Sequence, residues 1–173
     1  FSTAPSVATA RTNAAGAGGT PSATLFSGGS TPPGYVANTE EFTQSINTIT
    51  AAAWASGGAT NTALGSTAGS GTQTAGIVFS GADNLNNTEL YNGSSWTVGP
   101  TLNQGRYGAG EANSAPQTAA LCFGGVSEPP VTNHALTEEY NGSAWSESGD
   151  LPTVLRQLSG FGIQTAAVTV GGW

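Results

Sequence analysis

A chain of 173 residues with 8% charged side chains, no lysine, three arginines and a net charge of −7 has no basic surface with which to hold phosphate groups, so nucleic acid and anionic membrane are excluded as expected partners. No run approaches the roughly 18 apolar residues of a membrane-spanning helix, and the lone Cys122 rules out an intrachain disulfide or a zinc site built on several cysteines. Low charge together with regularly placed aromatics separates the chain from disordered sequences, and it reads as folded. Methionine is absent, even at position 1, which reads as a processed product or a part of a longer chain.

Taken in order, the first residues already echo a later segment: Phe1, Pro5 and Arg11 fall at the spacing of Trp96, Pro100 and Arg106, so the chain opens within a repeat. A Gly/Ala-rich segment, Thr12 to Gly19, precedes an apolar stretch from Pro21 that ends at Gly28-Gly29 and reads as a short strand stopped by glycines. A loop through Pro32, Pro33, Gly34 and Tyr35 leads to Thr39-Glu40-Glu41-Phe42 and, after an insertion, to Trp54. The second copy runs from Leu64 through Ile77-Val78-Phe79-Ser80-Gly81 to Thr88-Glu89-Leu90-Tyr91 and Trp96. The third runs from Arg106 through Leu121-Cys122-Phe123-Gly124-Gly125 to Thr137-Glu138-Glu139-Tyr140 and Trp145, and a partial fourth spans 156–173.

Phe42, Tyr91 and Tyr140 are spaced by 49 residues each time, and Phe26, Phe79, Phe123 and Val170 by 53, 44 and 47. A period near 49 with several short strands per unit falls in the range of β-propeller blades. Each unit divides into a Gly/Ala-rich strand, an apolar strand ending in Gly-Gly, a Thr-Glu-Glu-aromatic strand and a strand carrying Trp. Asn92-Gly93 and Asn141-Gly142 join the third and fourth strands, pointing to antiparallel hairpins with type I′ turns. The small first strands suit the crowded centre of a propeller, with Phe and Trp filling the wider space between blades. The expected fold is all-β: one domain or propeller segment over 1–173, with units near 11–54, 64–96 and 106–145 and a partial one at 156–173.

These residues resemble the Kelch repeat, whose pattern is a Gly-Gly pair, a Tyr and a Trp about six residues apart around a turn, a Leu-Pro segment and an Arg opening the next blade. The third unit carries it as Gly124-Gly125, Tyr140, Trp145, Leu151-Pro152 and Arg156. The second has Tyr91, Trp96, Pro100 and Arg106, with Gly81-Ala82 for the double glycine; the first has Phe42 for Tyr, and Leu64 stands where the next Arg is expected. The Asn/Gly/Thr-rich, lysine-free style is also similar to Kelch-like repeats of phage and marine-virus structural proteins. Three full units and a half leave a ring open, so further chain, associating copies, or Phe1 to Thr3 completing the unit begun at Arg156 would be needed to close it.

Residues with chemical potential mostly read as scaffold. His134 is the only histidine and no Gly-x-Ser-x-Gly elbow accompanies it, so it reads as a solvent-facing loop residue. Asp83-Asn84-Leu85-Asn86-Asn87 spaces oxygens as calcium loops do but lacks the central Gly and distal Glu, and Asn/Asp turn chemistry explains it. Glu40-Glu41 and Glu138-Glu139 are adjacent on strands and so face opposite ways, unlike a glycosidase pair. Asn86, Asn92 and Asn141 lie in glycosylation sequons, but turn chemistry suffices for the hairpin pair. The recurring arginines suggest hydrogen bonds between blades. No metal or cofactor is expected.

The loops after the Gly-Gly strand vary most, which is where a repeat scaffold places recognition. Pro33, Tyr35, Asp83, Asn84, Pro130 and His134 are the expected binding positions, Tyr35 first among them. The expected role is a non-enzymatic structural or adhesive module of a virion or other extracellular assembly, part of a larger assembly or homo-oligomer, with rim loops contacting a protein or glycan. The alternative is a secreted carbohydrate-active propeller enzyme.

Overall fold

The computed structural model describes Ala8 and residues 10–20, 23–43 and 53–173. Phe1 to Thr3 and the insertion before Trp54 lie outside the described residues. Among the described residues every regular element is a strand. The first unit supplies β1 (Ala15–Thr20), β2 (Ala23–Ser27), β3 (Ser30–Thr31), β4 (Gly34–Tyr35), β5 (Thr39–Thr43) and β6 (Ala53–Ser56). The second supplies β7 (Ala68–Thr72), β8 (Ala75–Phe79), β9 (Thr88–Tyr91) and β10 (Trp96–Val98). The third supplies β11 (Gly110–Glu111), β12 (Leu121–Phe123), β13 (Val126–Ser127), β14 (Thr132–Asn133), β15 (Thr137–Tyr140) and β16 (Trp145–Glu147), and β17 (Leu158–Ile163) and β18 (Ala166–Gly171) close the chain.

The sheets follow the repeat. Sheet I is β1-β2-β5-β6, sheet II β7-β8-β9-β10 and sheet III β11-β12-β15-β16, each an antiparallel meander, while β17-β18 is the first half of the same pattern. Two small ribbons, β3-β4 and β13-β14, stand as excursions between the second and third strands of sheets I and III. The first strands gather side by side: β7 lies beside β1 and β11, and β17 beside β11. Their small residues permit this, since a Cβ added at Gly160 would meet the Glu111 carbonyl at 2.3 Å and one at Gly110 would meet the Phe123 ring at 2.5 Å.

The pairing register tests the repeat column by column. Trp54, Trp96 and Trp145 lie opposite Phe42, Tyr91 and Tyr140, although Trp54 and Trp96 are only 42 residues apart. Between Tyr91 and Trp96, however, lies a four-residue turn. The Asn92 side chain accepts the Ser94 and Ser95 N–H groups at 3.0 and 2.9 Å, and only Gly93 (φ 95°) is left-handed. Asn141 and Gly142 repeat this, so the hairpins are antiparallel as expected but are Asx-capped turns in place of type I′.

Three residues matched by type fall one place off by pairing. Ser27, not Phe26, faces Thr39 as Phe79 faces Thr88 and Phe123 faces Thr137. It follows that Ser80-Gly81, not Gly81-Ala82, is the counterpart of Gly28-Gly29 and Gly124-Gly125. Ser80 accordingly adopts φ 59°, against 66° at Gly28 and 63° at Gly124. Arg156 is displaced too: its N–H bonds the Trp173 carbonyl as Tyr107 bonds Val126 and Thr12 bonds Ser30, leaving Leu155 in the column of Arg11, Leu64 and Arg106. The guanidinium of Arg156 instead stacks 3.5 Å from the Trp173 ring centroid.

Side chains and backbone tie one sheet to the next. Trp96 Nε1 donates to Thr39 Oγ1 and Trp145 Nε1 to Thr88 Oγ1, both at 2.9 Å, and the Trp145 ring meets Phe79 edge-on at 4.9 Å. Gln117 Nε2 donates to the Gly76 and Tyr91 carbonyls at 2.7 and 2.8 Å, and Gln164 Nε2 to those of Ala120 and Tyr140 at 3.1 and 2.8 Å. A backbone chain runs through the residues before the first strands: Ser66 N–H to Asn13, Gly108 N–H to Ser66, and Gln157 N–H to Gly108. Asn13, Ser66, Gly108 and Gln157 all sit between φ 53° and 59° to make it.

Candidate functional site

The repeated glutamates resolve first, because their surroundings decide whether they do chemistry. In sheet III the Glu138 carboxylate is 1% exposed; it accepts Arg106 Nη1 at 2.6 Å, the Asn103 N–H at 2.7 Å, Asn103 Nδ2 at 2.9 Å and the Gln104 N–H at 3.3 Å. Arg106, fully buried, also donates to the Cys122 carbonyl and sulfur at 3.5 and 3.3 Å. In sheet II, Glu89 takes the Asn61 N–H, Asn61 Nδ2 and the Thr62 N–H at 2.7, 3.0 and 2.8 Å, with Leu64 in the arginine's place. In sheet I, Glu40 accepts the Ala8 N–H at 2.6 Å and pairs with Arg11. Arg11 also donates to the Gly28 and Asn38 carbonyls at 3.1 and 2.7 Å.

Every one of these glutamates therefore clasps the loop that enters its own sheet. The expectation that the arginines bond between blades is corrected: Arg11 and Arg106 act within a unit, and the neighbouring sheets are joined there by backbone, Gly29 to Leu64, Gly81 to Arg106 and Gly125 to Leu155. Burial pushes the Cys122 thiol up to about 11, which keeps it a neutral core group.

The variable loops are a different surface. The first strands begin where the second strands end, as the pairs Ala15 with Ser27 and Gly110 with Phe123 require. The loops after the second strands consequently share one face with a polar cavity of about 430 Å³, lined by residues at or just before the starts of the four first strands. Asn13, Ser66, Tyr107, Gly108, Glu111 and Gln157 are among its lining residues. Glu111 stands where β1, β7 and β17 have Gly16, Gly69 and Gly160, and burial raises its carboxyl to about 7. That break in a small-residue column was a legible signal, though Glu111 was not among the expected sites.

The expected binding residues are brought to this face, in two groups. Pro33 and Tyr35 belong to the β3-β4 ribbon beside a shallow hollow of about 780 Å³, and the half-exposed Tyr35 ring covers Gly65, where an added Cβ would fall 2.1 Å from it. Asp83 and Asn84, consecutive left-handed residues at φ 60° and 59°, form the turn of sheet II. Asn84 ties that turn to the next ribbon, accepting the Glu128 N–H at 2.8 Å and donating to the Glu128 carbonyl. Tyr107 donates to Glu128 Oε1 at 2.5 Å, which raises its phenol.

Pro130 lies exposed at the tip of the β13-β14 ribbon. His134 is half-buried, not solvent-facing: Nε2 lies 2.9 Å from Ser127 Oγ, and burial together with Arg106 lowers its imidazole below the usual range. The structural positions Gly124, Gly125, Tyr91, Trp96, Tyr140, Trp145 and Arg106 all lie in the sheets or their clasps. Among the described residues no three His, Cys, Asp or Glu side chains are grouped to hold a metal ion. No helix among them is long and apolar enough to cross a membrane. No protein-family model and no curated protein sequence matches the chain.

Proposed function

We propose that the chain is a Kelch-like β-propeller module without catalytic activity, a structural or adhesive piece of a virion or other extracellular assembly, whose loops on one face bind a protein or glycan. The observation that carries this reading is the division of labour among its polar groups. Glu40, Glu89 and Glu138 are consumed in holding the sheets, while Tyr35, Asp83, Asn84, Glu128 and Pro130 sit on loops that differ from unit to unit on one face. An aromatic ring with neighbouring amides, carbonyls and a carboxylate is the mixture with which protein surfaces meet sugars and polar peptides. The only described basic groups off that scaffold clasp is Arg156, stacked on Trp173, which suits a neutral or polar partner better than an anionic one.

The test is binding to an immobilised glycan panel and to the structural proteins of the native particle. Tyr35→Ala is expected to weaken binding at least tenfold with an unchanged unfolding midpoint. The reading fails if the native protein proves a free monomer with no partner. It also fails if glycan hydrolysis is detected and then lost in Glu139→Gln or Glu111→Gln with the unfolding midpoint unchanged, which is the signature of the carbohydrate-active alternative.

A further inference from the structure

Asn-x-Ser/Thr sequons occur at Asn86, Asn92 and Asn141, and the fold treats them in two ways. In the turn after β9 the Asn92 Oδ1 accepts the Ser94 and Ser95 N–H groups, and the Ser94 hydroxyl donates to it at 3.0 Å. In the turn after β15 the Asn141 Oδ1 accepts the Ser143 and Ala144 N–H groups, with the Ser143 hydroxyl donating at 2.9 Å. The capping of both turns thus falls on the amide oxygen alone. The Nδ2 groups of Asn92 and Asn141 make no hydrogen bond among the described residues, and both asparagines and both sequon serines are exposed.

Asn86 is the opposite case. It is half-buried, its Nδ2 donates to the Leu102 carbonyl at 3.3 Å, and its own backbone carbonyl accepts the Leu102 N–H at 2.9 Å. The hydroxyl of its sequon belongs to Thr88, which is fully buried and accepts the Trp145 indole N–H. A bulky group on the Asn86 amide would displace Leu102 and with it the adjacent Asn103, whose N–H and amide hold Glu138.

We infer that Asn92 and Asn141 are acceptor sites for an N-linked glycan and that Asn86, in the folded protein, is not. The donor is an oligosaccharide carried on a lipid diphosphate. A bond forms between Nδ2 and the anomeric carbon, the anomeric C–O bond breaks, the lipid diphosphate leaves with the electron pair, and the amide gives one proton to a base on the transferase. Oδ1 is untouched by the exchange, so each turn keeps its caps. Tyr91 lies opposite Gly76 at the start of β8, and the Tyr140 N–H bonds the Ala120 carbonyl just before β12, which puts both turns where the second strands begin. The glycans therefore cover the face opposite Tyr35, Asn84 and Glu128 and leave those loops clear. The inference rests on the extracellular setting of the proposed function, but not on what its loops bind.

The experiment secretes the full chain from eukaryotic cells and maps every sequon of the folded product by mass spectrometry, with enzymatic glycan release in heavy-oxygen water marking each occupied asparagine as labelled aspartate. Glycan is expected on most chains at both Asn92 and Asn141 and on none at Asn86. Ser94→Ala and Ser143→Ala keep the capping N–H groups, and each is expected to remove one glycan per chain without lowering the yield of folded protein. An unmodified Asn92 or Asn141 in the secreted product overturns the inference, as does a glycan on Asn86 in the folded fraction. None of these outcomes touches binding at the loop face, so the inference can fail while the proposed function holds.

Discussion

Sheets II and III share one plan and solve its central polar problem differently. Both bury a third-strand glutamate, Glu89 and Glu138, and both meet it with two backbone N–H groups and an asparagine amide from the entering loop. Only sheet III adds a guanidinium, Arg106, and with it Cys122 as a further acceptor where sheet II has Val78. Leu64 in sheet II shows that the N–H cradle is the common element and the arginine an addition. A buried carboxylate is held here by directed donors first and by opposite charge second, as hydrogen bonding to an anion allows.

The largest expected effect comes from removing the addition alone. Arg106→Ala leaves a void and a buried carboxylate short of its cation, and should cost about 3–5 kcal/mol in urea unfolding. Installing the sheet II solution, Arg106→Leu with Cys122→Val, should recover most of that loss. If the double variant is no better than Arg106→Ala, the two sheets are not alternative answers to one problem.

A second contrast lies in the first strands, where sheet III has Glu111 and sheet II has Gly69. The Glu111 carboxyl is raised from 4.5 to about 7 by burial, so the folded state holds its proton more tightly than the unfolded chain. Its contribution is complete below pH 4.5 and is lost as pH rises toward 7, beyond which the ionised group is a constant cost. Glu111→Gln should therefore flatten the decline across that window and stabilise the protein at pH 8 by about 1–2 kcal/mol, a discount on the 1.36 kcal/mol per unit limit because the cavity admits water. An unchanged pH profile would place the carboxyl in a water-like setting.

The smallest effect is expected at the turn that follows the second strand. Ser80 holds φ 59° with its hydroxyl buried and without a hydrogen-bond partner among the described residues, where sheet III has Gly124 at 63°. Ser80→Gly relieves both and should raise stability by about 0.5–1 kcal/mol, read as a higher thermal midpoint. A lower midpoint would mean that the hydroxyl has a partner the sheet depends on.

These contrasts also show what could be read from residues alone. The Tyr/Trp columns and the four-strand unit were legible because large aromatics at fixed spacing have few substitutes. Leu64 was legible as the odd member for the same reason. Phe26, Ser80 and Arg156 were misplaced because matching by residue type ignores that the column is set by backbone: the left-handed pair after the second strand, not the nearest aromatic or arginine, marks the register. The face assembled from Tyr35, Asn84 and Glu128 was legible only as variable loops, since the Asn84 to Glu128 bond spans 44 residues and leaves no local trace. Glu111 went unread because it follows directly on the small residues Gly108, Ala109 and Gly110 and reads as the end of their run, although it breaks the column that Gly16 and Gly69 keep.

Most links between units share a direction, against which run the Gly29, Gly81 and Gly125 N–H groups and the Asn84 amide, donors to the unit that follows. The indoles of Trp96 and Trp145, the amides of Gln117 and Gln164, and the backbone N–H groups of Ser66, Gly108 and Gln157 are all donors on a later unit, aimed at acceptors on the one before. During synthesis each emerging unit then finds its template already folded behind it, so order of translation and order of docking coincide.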